Sequence, residues 1–381
     1  MKVGIIVPRY GENIVGGAET LARTLAEYLA SQNWQVTVLT SCAQNHHTWE
    51  SYFDAGKTVM NDVALLRFPV ARWDATEFHK LNNLLGDKFF ITLTEQFRWL
   101  ASGIHAPSLY HYLATNQADF DYIFALPYLS TIVQYAAWVA PEKTFLIPCL
   151  HNEAHAYTKP LHALMESVCG VLFLTPEERD FALQTLQLNL PNTAVIGMGL
   201  NTPPEHLPQI PISDTPTLIA ISRLEPTKNL ALLYEYVQRY VDEGGQLKLQ
   251  LMGTGSFLPP EHPAFEQLGF LPQSEKLAYI KSSLAVCQPS LMESFSIVIM
   301  ESWQMGRPVL VHKECAVTSG HVQRSNGGIA FASYQEFASA IDRLQSHPDE
   351  AQQMGANGAQ YVNDHYRWPL IFEKLTTALG K

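Results

Sequence analysis

Short runs of Val, Ile and Leu alternate along the chain with segments whose apolar residues repeat at helical spacing. The runs lack the apolar–polar alternation of a half-exposed strand, so helices are expected to cover both faces of the sheet that they form. This order of elements favours an α/β fold with a parallel, doubly wound sheet. The predicted strands are residues 2–7, 35–40, 63–70, 122–126, 144–150, 171–174, 194–196, 218–222, 247–252, 284–288, 308–311 and 328–331.

The predicted strands fall into two series with a proline-rich stretch between them. A chain of 381 residues exceeds one ordinary core, and the prolines within residues 202–216 are typical of a linker. We therefore predict two Rossmann-like domains that face a central cleft. The first comprises residues 1–202, with the helical segment 361–381 crossing back to it, and the second comprises residues 203–360. Ligands of such sheets bind beyond the carboxyl ends of the strands, so functional residues are expected in the loops that follow strands.

Residues 71–118 interrupt this pattern with many aromatic residues and mixed charges. They are predicted to be helical hairpins inserted in the first domain. Two interpretations stay open for them: a wall of the acceptor site, and ordinary helix packing.

Charge and cysteine content narrow the class of protein. The net charge of −11 argues against a nucleic-acid partner, which requires clustered Lys and Arg. The five cysteines show no C-x-x-C spacing, which fits a reduced cytoplasmic setting. The N-terminus does not match a signal peptide, and no apolar run is long enough to span a membrane. The sequence predicts a soluble protein and leaves peripheral contact with a membrane open.

The stretch from Glu293 to Glu301 has the spacing E-x7-E and follows a predicted strand. Ser294 or Ser296 is suited to cap a helix there, and Gly306 is suited to end it. In such a helix the two acids lie two turns, or about 12 Å, apart. The free N–H groups of its first turn would form an anion site between them. One acid could hold ribose hydroxyls and the other sugar hydroxyls; a core helix that carries two acids by chance is the alternative.

Basic residues and glycines follow two further strands of the second domain. Arg223 offers a fork of donors to a diphosphate and Lys228 offers a point charge, although a solvated loop pair would look the same. Gly253 and Gly255 permit close approach of the backbone to a ligand, and a plain turn is the alternative.

Two loops of the first domain carry further candidates. Gly16 and Gly17 lie between the first strand and the first helix, where their N–H groups can meet phosphate, but the dinucleotide fingerprint G-x-G-x-x-G is absent. His151 and His155 follow another strand. No third metal ligand stands at a suggestive spacing, which favours a hydrogen-bonding or structural histidine over zinc.

Taken together, these residues resemble the retaining glycosyltransferases of family 4, which have the GT-B fold. The resemblance covers nearly the whole chain. Its motifs follow one another in the family's order: the glycine loop at 16–17, the basic pair at 223 and 228, the stretches 252–256 and 268–272 near the base, the E-x7-E motif, and a tail that begins at Tyr366.

The resemblance implies a role for each matching residue. Glu301 would bind the ribose, Glu293 and His151 the donor sugar, and Arg223 with Lys228 the departing diphosphate. The backbone of Phe270 or Leu271 would hold the base. The amides that would line the sugar and diphosphate belong to Phe295, Ser296, Ile297 and Val298.

The resemblance also implies a reaction: metal-independent, retaining transfer of a hexose, with UDP-glucose as the first candidate donor and no cofactor. The acceptor would be a glycan or a lipid-linked saccharide in the synthesis of an exopolysaccharide or envelope polysaccharide. The alternatives are a nucleotide-sugar epimerase of the same fold and a catalytically silent protein that binds sugar nucleotides. Ser296 departs from the family's Gly-Phe-Gly pattern, and the role of His321 stays open between structure and site.

Overall fold

The computed structural model describes residues 1–14, 16–71, 73–88, 90–211 and 213–380. The chain divides into two compact units. Unit 1 comprises Met1–Gly199 and Trp368–Lys381, and unit 2 comprises Leu200–Arg367. The predicted breaks, at 202/203 and 360/361, differ from these by a few residues. Lys381, the end of the predicted returning segment, lies outside the described residues.

Within the described residues, the sheet of unit 1 has eight strands in the order β3-β4-β2-β1-β5-β6-β7-β8. The strands are β1 (Lys2–Ile6), β2 (Gln35–Ser41), β3 (Gly56–Met60), β4 (Val63–Phe68), β5 (Tyr122–Ala125), β6 (Thr144–Leu146), β7 (Gly170–Phe173) and β8 (Thr193–Val195). The helices of this unit are α1 (Gly17–Ser31), α2 (Ala75–Lys88), α3 (Leu93–Ser102), α4 (Pro107–Asn116), α5 (Thr131–Val139), α6 (Lys159–Ser167), α7 (Pro176–Asp180) and α14 (Trp368–Ala378).

The strand pairs of unit 1 are parallel except for β3, which runs antiparallel to β4 at the edge of the sheet. Strand β3 is not among the predicted strands, and the parallel pairing predicted for the others is confirmed. Residues of β3 are largely exposed, so they do not form the apolar run by which the buried strands are recognised in the sequence.

Residues 71–118 contain the helices α2, α3 and α4, with residues 72 and 89 outside the described part of the chain. Thr92 caps α3: its hydroxyl accepts the Glu95 N–H, and the Glu95 carboxylate accepts the Thr92 N–H. Leu81 and Trp99 join α2 to α3 in a small apolar cluster. Helix packing thus accounts for part of the aromatic content of this insertion.

The C-terminal segment is two helices, which corrects the prediction of one helical stretch over 361–379. Helix α13 ends at His365 and α14 begins at Trp368. Pro369 has no N–H to bond the carbonyl of His365, so a continuous helix would be broken here. Within unit 1, Trp368 stacks on Tyr28 with ring centroids 4.6 Å apart, and its ring occupies the space that a side chain at Gly199 would need.

In the described part of unit 2, six parallel strands lie in the order β11-β10-β9-β12-β13-β14. They are β9 (Thr217–Ile221), β10 (Lys248–Met252), β11 (Phe265–Gly269), β12 (Ala285–Gln288), β13 (Val309–His312) and β14 (Gly328–Phe331). The helices are α8 (Leu230–Asp242), α9 (Gln273–Ser282), α10 (Ile297–Gln304), α11 (Ala316–Ser325), α12 (Tyr334–Ser346) and α13 (Pro348–His365). Strand β11 was not predicted; its residues are only partly buried.

Each unit has its own apolar core. One cluster of buried residues joins the strands of unit 1 to α4, α5 and α6. A second cluster joins the strands of unit 2 to α8 and α12. Among the helices described, none is both long and apolar enough to cross a membrane.

Candidate active site

Helix α10 begins later than the sequence predicts. Ser296 occupies the position before it in the left-handed region, at φ 68°, and its hydroxyl makes no capping hydrogen bond. Glu293 therefore lies in the loop between β12 and α10, and the prediction that it shares a helix with Glu301, two turns away, is wrong. A left-handed residue cannot continue an α-helix, so the helix starts only at Ile297. Gly306, at φ 69°, follows the helix end as expected.

Glu293 is paired with Lys228. The Lys228 Nζ donates to Glu293 Oε1 at 2.8 Å, and Gln288 Nε2 lies 3.3 Å from the same oxygen. Lys228 ends a short 3₁₀ turn after β9. The side chain of Asn229 donates to the carbonyl of Pro289 at 3.0 Å, which fastens this turn to the loop after β12. Two predicted site residues from different strands are thus brought into contact.

Glu301 is buried, with 6% of its surface exposed, and its two carboxylate oxygens differ. Oε1 accepts hydrogen bonds from Lys276 Nζ at 2.7 Å and from Gln273 Nε2 at 2.8 Å, both on α9. Oε2 is buried and has no hydrogen-bond partner among the residues that the structure describes. An ionised carboxylate only accepts hydrogen bonds, so Oε2 has unused capacity for a hydroxyl donor.

Arg223 is solvent-exposed and separate from the Lys228–Glu293 pair. Its side chain is 54% exposed and forms an ion pair with Glu225 at 3.1 Å. An exposed pair of this kind contributes little to stability, so the guanidinium is free to exchange partners at small cost.

Gly253 and Gly255 are required by packing within the protein. Both have positive φ, at 127° and 155°, and a Cβ at either position would lie about 2 Å from the carbonyl of Ser222 or Leu224. Their loop after β10 thus lies directly against the loop after β9. This contact explains both glycines without a ligand.

Phe270 and Leu271 follow β11 and precede α9. Phe270 is 62% exposed, and Gly269 before it turns the chain with φ 68°. This short connection places the exposed segment next to the helix that carries Gln273 and Lys276.

Phe295, two residues before α10, packs in a buried aromatic cluster that includes His321. The ring of His321 contacts Phe295 edge to face, and its Nδ1 lies 3.0 Å from the hydroxyl of Tyr361. Burial, with a smaller contribution from Arg324, lowers the pKa of His321 to about 3. His321 is therefore neutral and fully buried, which favours structural support over direct contact with a ligand. Phe295 is buried, whereas Ile297 and Val298 in the first turn of α10 are partly exposed.

In unit 1, Gly16 directly precedes α1 and Gly17 begins it. The carboxylate of Glu19 lies beside Gly16, where a Cβ would meet it, and it forms an ion pair with the partly buried Arg9. An internal acid thus lies against the glycine loop at this helix N-terminus, a position that favours negative charge.

His151 lies in the loop that follows β6, and β6 itself ends at Leu146, short of the predicted end at 150. Its Nδ1 is 3.2 Å from Glu153 Oε1, and His155 Nδ1 lies 3.7 Å from the other oxygen of Glu153. Across the residues that the structure describes, no group of three or more His, Cys, Asp or Glu side chains is arranged to hold a metal ion.

Glu178 supports the same loop from inside the protein. One carboxylate oxygen accepts the Leu150 N–H at 2.5 Å and the other accepts the Leu174 N–H at 2.6 Å. Burial raises the pKa of Glu178 to about 7, and these backbone hydrogen bonds oppose the rise. A single buried carboxyl thus joins the loops that follow β6 and β7.

Sequence reasoning missed Gln273, Lys276, Glu153 and Glu178. Gln273 and Lys276 stand at i and i+3 of α9 and so share one helix face, but nothing in their spacing indicates that this face meets Glu301. Thr175 and Glu178, three residues apart, have the spacing of a capping pair. The Thr175 hydroxyl indeed accepts a hydrogen bond from the Glu178 N–H. That local signal does not indicate the contact with Leu150.

Comparisons with known proteins show similarity both in sequence and in fold. Residues 204–361, most of unit 2, match the family described as Glycosyl transferases group 1. A Xenopus tropicalis protein, Glycosyltransferase 1 domain-containing protein 1, is 32% identical over 100 residues, which cover 26% of this chain and 29% of that protein. Trehalose synthase of Rubrobacter xylanophilus is 25% identical over 179 residues, 42% of each chain. The chain thus spans less than half the length of these relatives.

The structure of HepE from Anabaena in complex with UDP and glucose superposes on the whole chain. The TM-score is 0.72 at 15% identity, and the match covers 100% of this chain and 99% of that one. The prediction of a GT-B fold with two Rossmann-like units is confirmed. The similarity to a group 1 glycosyltransferase domain thus covers most of unit 2, and the similarity of fold covers the whole chain.

Proposed function

We propose that this protein is a retaining hexosyltransferase of family 4 that uses a UDP-sugar, with UDP-glucose as the first candidate. The observation that carries the proposal is Glu301, whose Oε2 is buried and has no hydrogen-bond partner while Lys276 and Gln273 occupy Oε1. A ribose hydroxyl supplies the donor that Oε2 lacks. The exposed backbone at Phe270 and Leu271, beside α9, would then hold the base.

The diphosphate would lie at the N-terminus of α10. The first N–H groups of a helix have no partners within it and bind anions. Lys228 and Arg223 supply positive charge after β9, and Lys228 is paired with Glu293. Phe295, Ser296, Ile297 and Val298 contribute the backbone at this point.

Transfer breaks the bond between the anomeric carbon and the β-phosphate oxygen and forms a bond from that carbon to an acceptor hydroxyl oxygen, whose proton passes to the leaving phosphate. Negative charge develops on the leaving diphosphate, and Lys228 and Arg223 would stabilise it together with the amides of α10. Glu293 and His151 would contact the donor sugar, with Gly16 and Gly17 near its phosphate. The protein's own cations offset the charge, so we propose that no metal is required.

UDP is favoured as the nucleotide because HepE was solved with UDP and glucose on the same fold. The proposed acceptor is a glycan or a lipid-linked saccharide in polysaccharide biosynthesis. The proposed location is the cytoplasm, with contact to the inner face of the membrane where the acceptor is lipid-linked.

The decisive experiment is a binding and turnover panel with UDP-, GDP- and ADP-sugars. Calorimetry should show tightest binding for UDP and UDP-glucose, and UDP should be released only when a glycan acceptor is added. Activity should persist in EDTA. If EDTA abolishes the release of UDP and added Mg²⁺ restores it, the proposal of metal independence is wrong.

Two other results would each identify another function. Interconversion of the sugar without a new glycosidic bond would indicate the epimerase. Tight binding with no turnover on any acceptor would indicate a binding protein.

A further inference from the structure

Glu153 in unit 1 is surrounded by side chains that can donate hydrogen bonds. Tyr128 Oη lies 2.7 Å from Glu153 Oε1, and His151 Nδ1 lies 3.2 Å from the same oxygen. His155 Nδ1 faces Oε2 at 3.7 Å. Glu153 thus stands between the two histidines that the sequence singles out.

Glu153 is ionised at neutral pH. Burial opposes its charge, but the hydrogen bonds from His151 and Tyr128 and the nearby ring of His155 prevail and hold the pKa of this carboxyl well below its usual range. An ionised carboxylate has no proton to donate. Tyr128 must therefore donate to Oε1, and His151 must carry a proton on Nδ1.

The position of this proton determines the chemistry of the other ring nitrogen of His151. A neutral imidazole has one donor and one acceptor nitrogen. With Nδ1–H directed at Glu153, Nε2 is the acceptor. The side chain of His151 is 26% exposed, so the ring is accessible to a ligand.

The ring of His155, which lies beside Glu153, is fixed from its other side by Asn82. Trp99 Nε1 lies 3.2 Å from Asn82 Oδ1, and His155 Nε2 lies 2.9 Å from the same oxygen. An indole N–H only donates, so the atom of Asn82 at this point must be its oxygen, and His155 Nε2 must donate to it. Helices α2 and α3 thereby fix the ring whose Nδ1 faces Glu153.

We propose that Glu153 is a positioning residue that fixes His151 with Nδ1 protonated, so that Nε2 accepts a hydrogen bond from a hydroxyl of the sugar substrate. The part that concerns the substrate rests on the proposed transferase function; the part that concerns the proton does not. The enzyme then requires a hydroxyl donor at one position of the sugar, and an analogue with fluorine at that position cannot supply it.

The proton can be located by ¹⁵N NMR of histidine-labelled protein without substrate, with the His151 signals identified by their loss in His151→Ala. We expect the Nδ1–H form in the wild type and in Glu153→Gln, whose amide oxygen can still accept from His151. Glu153→Ala should lose this preference. Tyr128→Phe is the matched control, because it removes the other donor to Oε1, and it should keep the Nδ1–H form. An Nε2–H form in the wild type, or an unchanged form in Glu153→Ala, would overturn the proposal.

Kinetics test the substrate part. Glu153→Ala should lower kcat/KM about tenfold, the size of one well-placed hydrogen bond, and Glu153→Gln should restore most of it. Adding Glu153→Ala to His151→Ala should cause no further loss, because both act through one contact. In a series of UDP-glucose analogues that each carry fluorine in place of one hydroxyl, one analogue should be transferred more slowly than UDP-glucose by the wild type but not by His151→Ala. If both proteins show the same loss with every analogue, the contact is refuted. If the wild type transfers no sugar at all, the proposed function fails while the NMR result stands.

Discussion

At the scale of single residues, Lys276 decides how Glu301 meets a ligand. It neutralises a buried carboxylate and occupies Oε1 together with Gln273, which leaves Oε2 as the acceptor. Replacing Lys276 with Met keeps the length of the side chain and removes its charge. We expect UDP affinity to fall about tenfold, since the carboxylate loses its charge partner and its fixed orientation.

Calorimetry with UDP measures this effect. Lys281→Met is the matched control, because Lys281 lies in the last turn of the same helix and is exposed, and it should bind as the wild type does. Lys276→Met with wild-type affinity would show that the orientation of Glu301 does not depend on this lysine.

Ser296 provides a second test at this scale. Its φ of 68° is unfavourable for a residue with a side chain, and glycine adopts it without strain. We expect Ser296→Gly to be more stable than Ser296→Ala by about 1 kcal/mol in the free energy of unfolding, measured by urea titration. The comparison with alanine removes the effect of losing the hydroxyl. Equal stability of the two variants would mean that the turn carries no strain.

The sequence identifies Glu293, Glu301 and Lys228 because each follows a strand with a suitable charge. It does not indicate that Lys228 and Glu293 form a pair, because 65 residues separate them and only the folded sheet brings them together. The same limit applies to Glu301 and α9. Charge and spacing indicate candidates, whereas their partners depend on tertiary packing.

At the scale of secondary structure elements, the ends of elements were harder to predict than their existence. The left-handed turn at Ser296 delays α10, and Pro369 separates α13 from α14. The proline could have been recognised, because it cannot continue a helix. The turn at Ser296 could not, since serine is usually a helix cap in the extended region.

Glu178 joins two elements in a pH-dependent way. Its folded pKa of about 7 lies above the ordinary value of 4.5, so between these values the folded protein keeps a proton that the unfolded chain releases. The contribution of the Glu178 carboxyl to the free energy of unfolding is present at low pH and is lost as the pH rises through about 7. We expect the stability of unit 1 to fall between pH 5 and pH 8, with a slope of at most about 1.4 kcal/mol per pH unit.

Urea titrations at several pH values, followed by fluorescence, measure this slope. Six of the seven tryptophans lie in unit 1, so the signal reports mainly on that unit. Glu178→Gln should remove the pH dependence of the free energy of unfolding, and Glu142→Gln, at an exposed position, should retain it. A slope unchanged by Glu178→Gln would assign the dependence to another group.

At the scale of the whole molecule, each unit contains a core of its own, and the proline-rich stretch without strands or helices lies between β8 and β9. The groups proposed to hold UDP itself are Glu301, Lys228 and the backbone near Phe270, which belong to unit 2, whereas Gly16 and Gly17 of unit 1 are proposed only to lie near the phosphate of the donor sugar. A ligand stabilises the unit that binds it by RT ln(1 + [L]/Kd), or about 2.7 kcal/mol at a hundredfold excess over Kd.

Scanning calorimetry should therefore show two unfolding transitions, and UDP should raise the midpoint temperature only of the transition of unit 2. Glu301→Ala should abolish the rise and leave the transition of unit 1 in place, and hydrogen exchange should show protection by UDP in α9 and α10 but not in β1 or β2. Equal shifts of both transitions would mean that UDP is bound by both units, and the assignment of the nucleotide site to unit 2 alone would then be wrong.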